Sequence, residues 1–155
     1  MGRVIAVANQ KGGVGKTTTV VNLGACLAAA GARALLVDGD PQAHTTSGLG
    51  LSKNRRPNLY QVLLDDVPAE QAVVPTRHPR LHVLPSGIDL AGAEVELVGA
   101  LARETRLKRA LEPLRGRYDF LLVDCPPSLG LLTVNALTAA DGVLVPIQCE
   151  YYALE

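Results

Sequence analysis

Apolar and polar positions along the chain follow two alternating rhythms. Val4-Ile5-Ala6-Val7-Ala8 is apolar without alternation, which predicts a strand buried on both faces. From Lys16 to Ala30, alanines and leucines surround the chain almost completely, as suits a helix packed tightly on a sheet, and Gly31 marks its stop. Ala34-Leu35-Leu36-Val37 predicts a second buried strand, which runs out into Asp38-Gly39-Asp40-Pro41-Gln42. Thr45-Thr46-Ser47-Gly48-Leu49-Gly50 reads as a loop, and Leu59 to Leu64 as a short helix capped by Asn58. Pro68, Pro75 and Pro79 break the segment that follows, and Leu81 to Pro85 predicts a third strand.

Val95, Val98, Leu101 and Ala102, then Leu107, Ala110, Leu111 and Leu114, recur at helical spacing, so one helix is expected over Ala91 to Leu114, ended or kinked by Pro113. Tyr118 to Asp124 and Gly142 to Ile147 read as strands, with a helix over Leu131 to Ala139 between them. No repeat, linker or low-complexity tract interrupts the pattern. Strands alternating with helices imply an α/β fold with a mainly parallel sheet and right-handed crossovers.

The first strand-to-helix turn carries the chemistry. Gln10-Lys11-Gly12-Gly13-Val14-Gly15-Lys16-Thr17-Thr18 is a glycine-rich turn in the context where a phosphate-binding loop works. Gly12, Gly13 and Gly15 allow the backbone to curl until several N–H groups point into one cavity. The helix that begins near Lys16 adds the positive end of its dipole. Lys16 is placed to reach the β- and γ-phosphates, and Thr17 to offer its hydroxyl to Mg²⁺. Two departures from G-x-x-x-x-G-K-T stand out: Gln10 replaces the first glycine, and Lys11 adds a cation inside the loop. That cation is better placed to reach outward, toward nucleotide on a facing subunit, than to share the phosphates of Lys16. The plainer alternative is a lysine on a solvated turn.

Here the chain resembles the deviant Walker A ATPases of the ParA/Soj/MinD group, whose loop reads K-G-G-x-G-K-[ST]. The resemblance implies a three-layer P-loop NTPase fold with a mainly parallel sheet flanked by helices, its C-terminal portion missing, so that residues 1–155 form the N-terminal part of the family's single ATPase domain. It makes Lys11 the signature lysine that crosses a nucleotide-sandwich dimer. It also makes Asp38-Gly39-Asp40-Pro41-Gln42 the first switch, with Asp40 positioning the attacking water and Asp38 in a structural role.

Asp124 closes the apolar run Phe120 to Val123 as a Walker B aspartate does, holding Mg²⁺ directly or through water; alone, it could equally cap the next turn. Pro126 and Pro127 match the family's second switch. Where the family has Gly-Asn after D-P-Q, this chain has Ala43-His44, a departure that could stiffen the switch, with His44 either a replacement contact or a plain loop histidine.

The ParA/Soj branch implies ATP and Mg²⁺ as cofactors, weak ATPase activity, an ATP-dependent homodimer, non-specific DNA binding mainly through the later part of the chain, and a ParB-type partner. A cytoplasmic, nucleoid-associated location without membrane attachment goes with it. MinD-like membrane positioning, iron–sulfur reductases, cobyrinate-amidating or dethiobiotin-forming enzymes, and a nucleotide-binding module without turnover are the alternatives.

Composition changes this picture little. Apolar residues make up 48% and charged residues 19%, a globular balance. Fifteen basic and fifteen acidic residues cancel, so only a local patch could favour a polyanion. Arg103, Arg106, Lys108, Arg109, Arg115 and Arg117 are one such cluster, readable as a nucleic-acid patch or as the solvated face of a helix. Cys26, Cys125 and Cys149 are widely spaced, which points to neither a zinc site nor a disulfide framework and fits a reducing cytosol. No signal or membrane-spanning segment is legible.

Overall fold

The computed structural model describes residues 1–9, 15–147 and 149 of the chain. Its strands are β1 (Arg3–Val7), β2 (Ala34–Asp38), β3 (Val74–Pro75), β4 (Leu81–Leu84), β5 (Phe120–Asp124) and β6 (Gly142–Leu144). They form one sheet in the order β3-β4-β2-β5-β1-β6, parallel throughout except for the antiparallel β3–β4 pair. The mainly parallel sheet expected from the alternating pattern is thus present. The central strands are apolar on both sides because both faces are covered, and every residue of β2 is buried.

The helices are α1 (Lys16–Ala29), α2 (His44–Gly48), α3 (Leu59–Leu64), α4 (Ala69–Ala72), α5 (Ala93–Glu96), α6 (Arg106–Leu111) and α7 (Leu131–Ala139). On one face, Val20 and Ala28 of α1 pack with Val7, Leu36, Val83 and Leu122. Gly24 brings that helix close: a Cβ there would stand 2.5 Å from the Leu36 side chain. On the other face, α3, α6 and α7 cover Val4, Leu35, Val37, Leu121 and Val123. Asn58 caps α3 as expected, accepting from Tyr60 N–H while Gln61 returns a bond to the Asn58 N–H at 2.8 Å.

Three expectations are corrected. The segment from Thr45 is not a loop, because residues 44–48 form α2. The helix expected over Ala91 to Leu114 is several short pieces: α5 and α6 with 3-10 turns at Ile88–Gly92, Leu97–Gly99 and Glu112–Leu114. Val95, Val98 and Leu101 therefore do not face a core but are 76%, 58% and 87% exposed. The last strand stops at Leu144 rather than Ile147.

Candidate functional site

The parallel register brings acidic strand ends together. Asp38 of β2 lies opposite Asp124 of β5, which lies opposite Val7 of β1, so the exits of three strands share one level. Gly39 sits between the two aspartates of its segment for a steric reason. Its N–H donates to the Asp124 carbonyl at 2.8 Å, and a Cβ there would come within 2.7 Å of the same oxygen.

Gly15 enters α1 in the left-handed region, φ 85°, which a glycine adopts without strain. Its carbonyl accepts from Thr19 N–H at 2.8 Å, so the helix begins at once and its N-terminus faces the strand exits. Gln10, Lys11, Gly12, Gly13 and Val14 lie outside the described residues. Beyond them, the glycine turn and the carboxylates do meet: Gly15, Lys16, Thr17, Thr18, Asp40, Gln42, His44 and Pro127 line one cavity of about 450 Å³.

Asp124 is the centre of this arrangement. Thr17 Oγ1 donates to its Oδ2 at 2.7 Å and Thr45 Oγ1 donates to the same oxygen at 2.8 Å. Its Oδ1 is buried and has no hydrogen-bond partner among the described residues. Burial raises the Asp124 carboxyl above the usual range, the two hydroxyls oppose that, Asp40 adds to it and Lys16 lowers it. A buried carboxylate oxygen without a donor, beside a threonine hydroxyl at the head of a helix, fits a hard cation.

Asp38 is engaged otherwise, on both oxygens. Its Oδ2 accepts from Thr46 N–H at 2.9 Å and Thr46 Oγ1 at 2.6 Å, and its Oδ1 from Asp40 N–H at 3.2 Å. Burial pushes this carboxyl up to about 7 against those donors. Asp40 instead borders the cavity. Its Oδ1 accepts from Gln42 N–H at 2.9 Å, and Ser86 Oγ holds its carbonyl at 2.8 Å. Pro41 and Gln42 form the turn closed by Ala43 N–H on the Asp40 carbonyl at 2.9 Å.

Ala43 is buried with φ 57°, a left-handed conformation that a glycine would hold more easily. His44 lines the cavity. Pro127 borders the cavity too, while the Pro126 and Ser128 carbonyls both accept from Thr133 Oγ1 of α7, at 3.5 and 2.6 Å. Burial pushes the Cys125 thiol up to about 12, leaving it a poor thiolate ligand.

Thr45, Thr46 and Ser86 were not legible as site residues. Thr45 bonds Asp124, while Thr46 Oγ1 bonds Asp38 and also accepts from Ser86 N–H at 2.9 Å. Their one sequence signal is two adjacent hydroxyls a few residues beyond D-P-Q.

The basic cluster is not one surface. Arg103 donates to the Val98 carbonyl and pairs with Glu104, and Arg106 donates to the Leu101 and Leu63 carbonyls. Arg115 pairs with Asp141 at 2.7 Å, and its carbonyl accepts from Gly2 N–H just before β1.

The sheet order, the glycine-led helix and the paired acidic strand exits define a P-loop NTPase architecture. The family profile described as AAA domain matches residues 2–155, and the chain belongs to that family. Over its whole length it is 59% identical to the sporulation initiation inhibitor protein Soj of Bacillus subtilis and 57% identical to the chromosome partitioning protein ParA of Myxococcus xanthus. It spans 62% and 55% of those two proteins. A crystal structure named cobyrinic acid a,c-diamide synthase, from Mycobacterium smegmatis with bound ADP and magnesium, superposes with a TM-score of 0.92 at 53% identity. That match covers 97% of this chain and 61% of the other.

Proposed function

We propose that residues 1–155 are the nucleotide-binding part of a ParA/Soj-type partitioning ATPase that binds ATP with Mg²⁺ and hydrolyses it slowly. The observation that carries this reading is the buried Oδ1 of Asp124, without a hydrogen-bond partner among the described residues, beside Thr17 at the head of α1. Thr17 and Asp124 are the residues that would hold the cation, Asp124 directly or through water. A bound Mg²⁺ would supply charge neutralisation for the phosphoryl group being transferred.

The chain's own residues do the positioning. Backbone N–H groups of Gly12, Gly13, Val14 and Gly15, with those of Lys16, Thr17 and Thr18, cradle the phosphates. Lys16, buried at the first position of α1, places a charge on the transferring group. Asp40, at the cavity wall, accepts a hydrogen bond from the attacking water and orients it. Asp38 holds the segment through Thr46, and Pro41, Gln42, Pro126 and Pro127 form the two switch segments around the site. Lys11 completes the site of a facing copy, so that ATP closes a homodimer. The dimer binds DNA non-specifically, and a ParB-type partner stimulates hydrolysis and release.

Light scattering with and without ATP and Mg²⁺, on the wild type and on Lys11→Ala, Lys16→Ala and Asp40→Ala, tests this. The expected pattern is an ATP-dependent doubling of mass that Lys11→Ala and Lys16→Ala abolish and Asp40→Ala prolongs, with phosphate release lost in all three. A mass indifferent to nucleotide would defeat the switch reading. The name of the M. smegmatis neighbour favours a second reading, ATP-dependent amidation, which predicts glutamine hydrolysis coupled to ATP use.

A further inference from the structure

Two neighbouring threonines at the start of α2 serve two different carboxylates. Thr45 Oγ1 donates to Asp124 Oδ2 at 2.8 Å, while Thr46 donates to Asp38 Oδ2 through its N–H at 2.9 Å and its hydroxyl at 2.6 Å. Asp38 and Asp124 are register partners on β2 and β5, so α2 bridges the ends of two neighbouring strands. The helix is itself fastened. Ser86 N–H donates to Thr46 Oγ1 at 2.9 Å, and Ser86 Oγ donates to the Asp40 carbonyl at 2.8 Å. Thr45 is thereby held in place against Asp124, and it is 0% exposed.

Thr45 differs from Thr17 in what it can touch. Among the described residues, Thr17 lines the nucleotide cavity and Thr45 does not. The Thr45 hydroxyl makes a single side-chain hydrogen bond among them, the one to Asp124. Thr17 Oγ1 reaches the same Oδ2 at 2.7 Å from the head of α1, so donors from two elements hold one oxygen. A carboxylate is planar, and fixing one oxygen from two sides restricts rotation of the whole group. Those two bonds therefore set the direction of Oδ1, which is buried and without a hydrogen-bond partner among the described residues. Partners that orient a metal-holding carboxylate in this way are typically worth about ten- to hundredfold in metal affinity.

We infer that Thr45 is a positioning residue for the cation site: its hydroxyl holds the Asp124 carboxylate so that Oδ1 is kept for the cation. The inference rests on the proposed Mg²⁺–ATP site and adds to it a side chain that touches neither nucleotide nor cation. Thr17 is itself assigned to the cation, whereas Thr45 acts through Asp124 alone. Thr45 also lies in the same short segment as Asp40. One stretch of chain thus carries the water-orienting carboxylate to the cavity wall and orients the cation-holding one.

The test is a Mg²⁺ titration of the binding of a fluorescent non-hydrolysable ATP analogue, with the analogue's affinity in EDTA measured on the same proteins. The variants are Thr45→Val, which keeps the shape and removes the hydroxyl, Thr45→Ser, which keeps the hydroxyl, and Asp124→Asn, each checked by circular dichroism melting. In Thr45→Val the Mg²⁺ midpoint should rise about tenfold, the low end of the range because Thr17 still holds Oδ2, with binding in EDTA unchanged. Thr45→Ser should keep the wild-type midpoint. A rise of less than about threefold in Thr45→Val, with the Mg²⁺ dependence of the wild type intact, would overturn the inference and leave the cation site standing. Equal loss of binding with and without Mg²⁺, or a Thr45→Ser midpoint shifted as far as that of Thr45→Val, would also overturn it, since the side chain would then act through shape or stability. A wild type whose analogue binding ignores Mg²⁺, or an Asp124→Asn midpoint that matches wild type, would overturn the cation site itself and the inference with it. Should Thr45→Val melt below the assay temperature, Thr45→Ala decides by the same criteria.

Discussion

Asp38 and Asp124 are strand-end aspartates of the same type in the same register, and their surroundings give them different work. Three donors engage both oxygens of Asp38 and hold it to Thr46 and the Asp40 backbone. Asp124 takes two hydroxyls on one oxygen, and its other oxygen has no partner among the described residues. Asp38 also makes the clearest pH prediction. Its folded-state carboxyl lies at about 7, above the usual value for an exposed aspartate, so the folded state holds its proton more tightly than the unfolded chain. The stability this adds is fully present below the unfolded value near pH 4 and is lost as the pH rises toward 7. One such group contributes a slope of at most about 1.4 kcal/mol per pH unit. Thermal melts between pH 5 and 8 should therefore show a shallower decline of Tm in Asp38→Asn than in wild type. An unchanged slope would mean that Asp38 is already ionised when folded.

At the scale of elements, α6 and α7 depend on one buried side chain. Asn135 Oδ1 accepts from Leu107 N–H at 3.1 Å, satisfying a donor in the first turn of α6 that its N-cap Thr105 leaves without a side-chain bond. Its Nδ2 donates to the Arg103 carbonyl at 2.7 Å and the Leu131 carbonyl at 2.8 Å. Asn135→Ala leaves these groups buried and unpaired, and should lower stability by about 2–4 kcal/mol in urea unfolding. A loss within about 0.5 kcal/mol would show that water replaces the side chain.

The same contrast governs what the sequence revealed. β1, β2, β5 and α7 were legible because each is a run of one hydrophobic rhythm, and the Lys16-Thr17 turn because its chemistry is local. The pieces between Ala91 and Leu114 were not, since Val95, Val98 and Leu101 mimic a core stripe while standing exposed. The start of α6 is held from α7, which no local pattern reports. Thr45 and Thr46 were missed for the same reason: their partners Asp124 and Asp38 are set by sheet register, not by spacing.

At the scale of the whole molecule, the two ends of the sheet are protected unequally. β3 is two residues long, contains Pro75 and pairs antiparallel, all features that blunt an edge. At the other end, β6 pairs with β1 and with no other strand among the described residues, and Val143, Val145 and Ile147 are 53%, 52% and 54% exposed, with Leu144 partly so. An open strand with apolar side chains on it is a template for pairing with another copy. The 155-residue chain should therefore self-associate as its concentration rises, without nucleotide, and a lysine at Val143 and at Val145 should suppress this by charging the edge. Light scattering across a concentration series separates this association from the proposed switch: edge pairing should disappear in V143K/V145K and ignore ATP, whereas the proposed nucleotide dimer should require ATP and survive those substitutions. A wild-type mass that stays constant over that series would show that the β6 edge does not pair, and any mass increase seen with ATP could then be assigned to the nucleotide site alone.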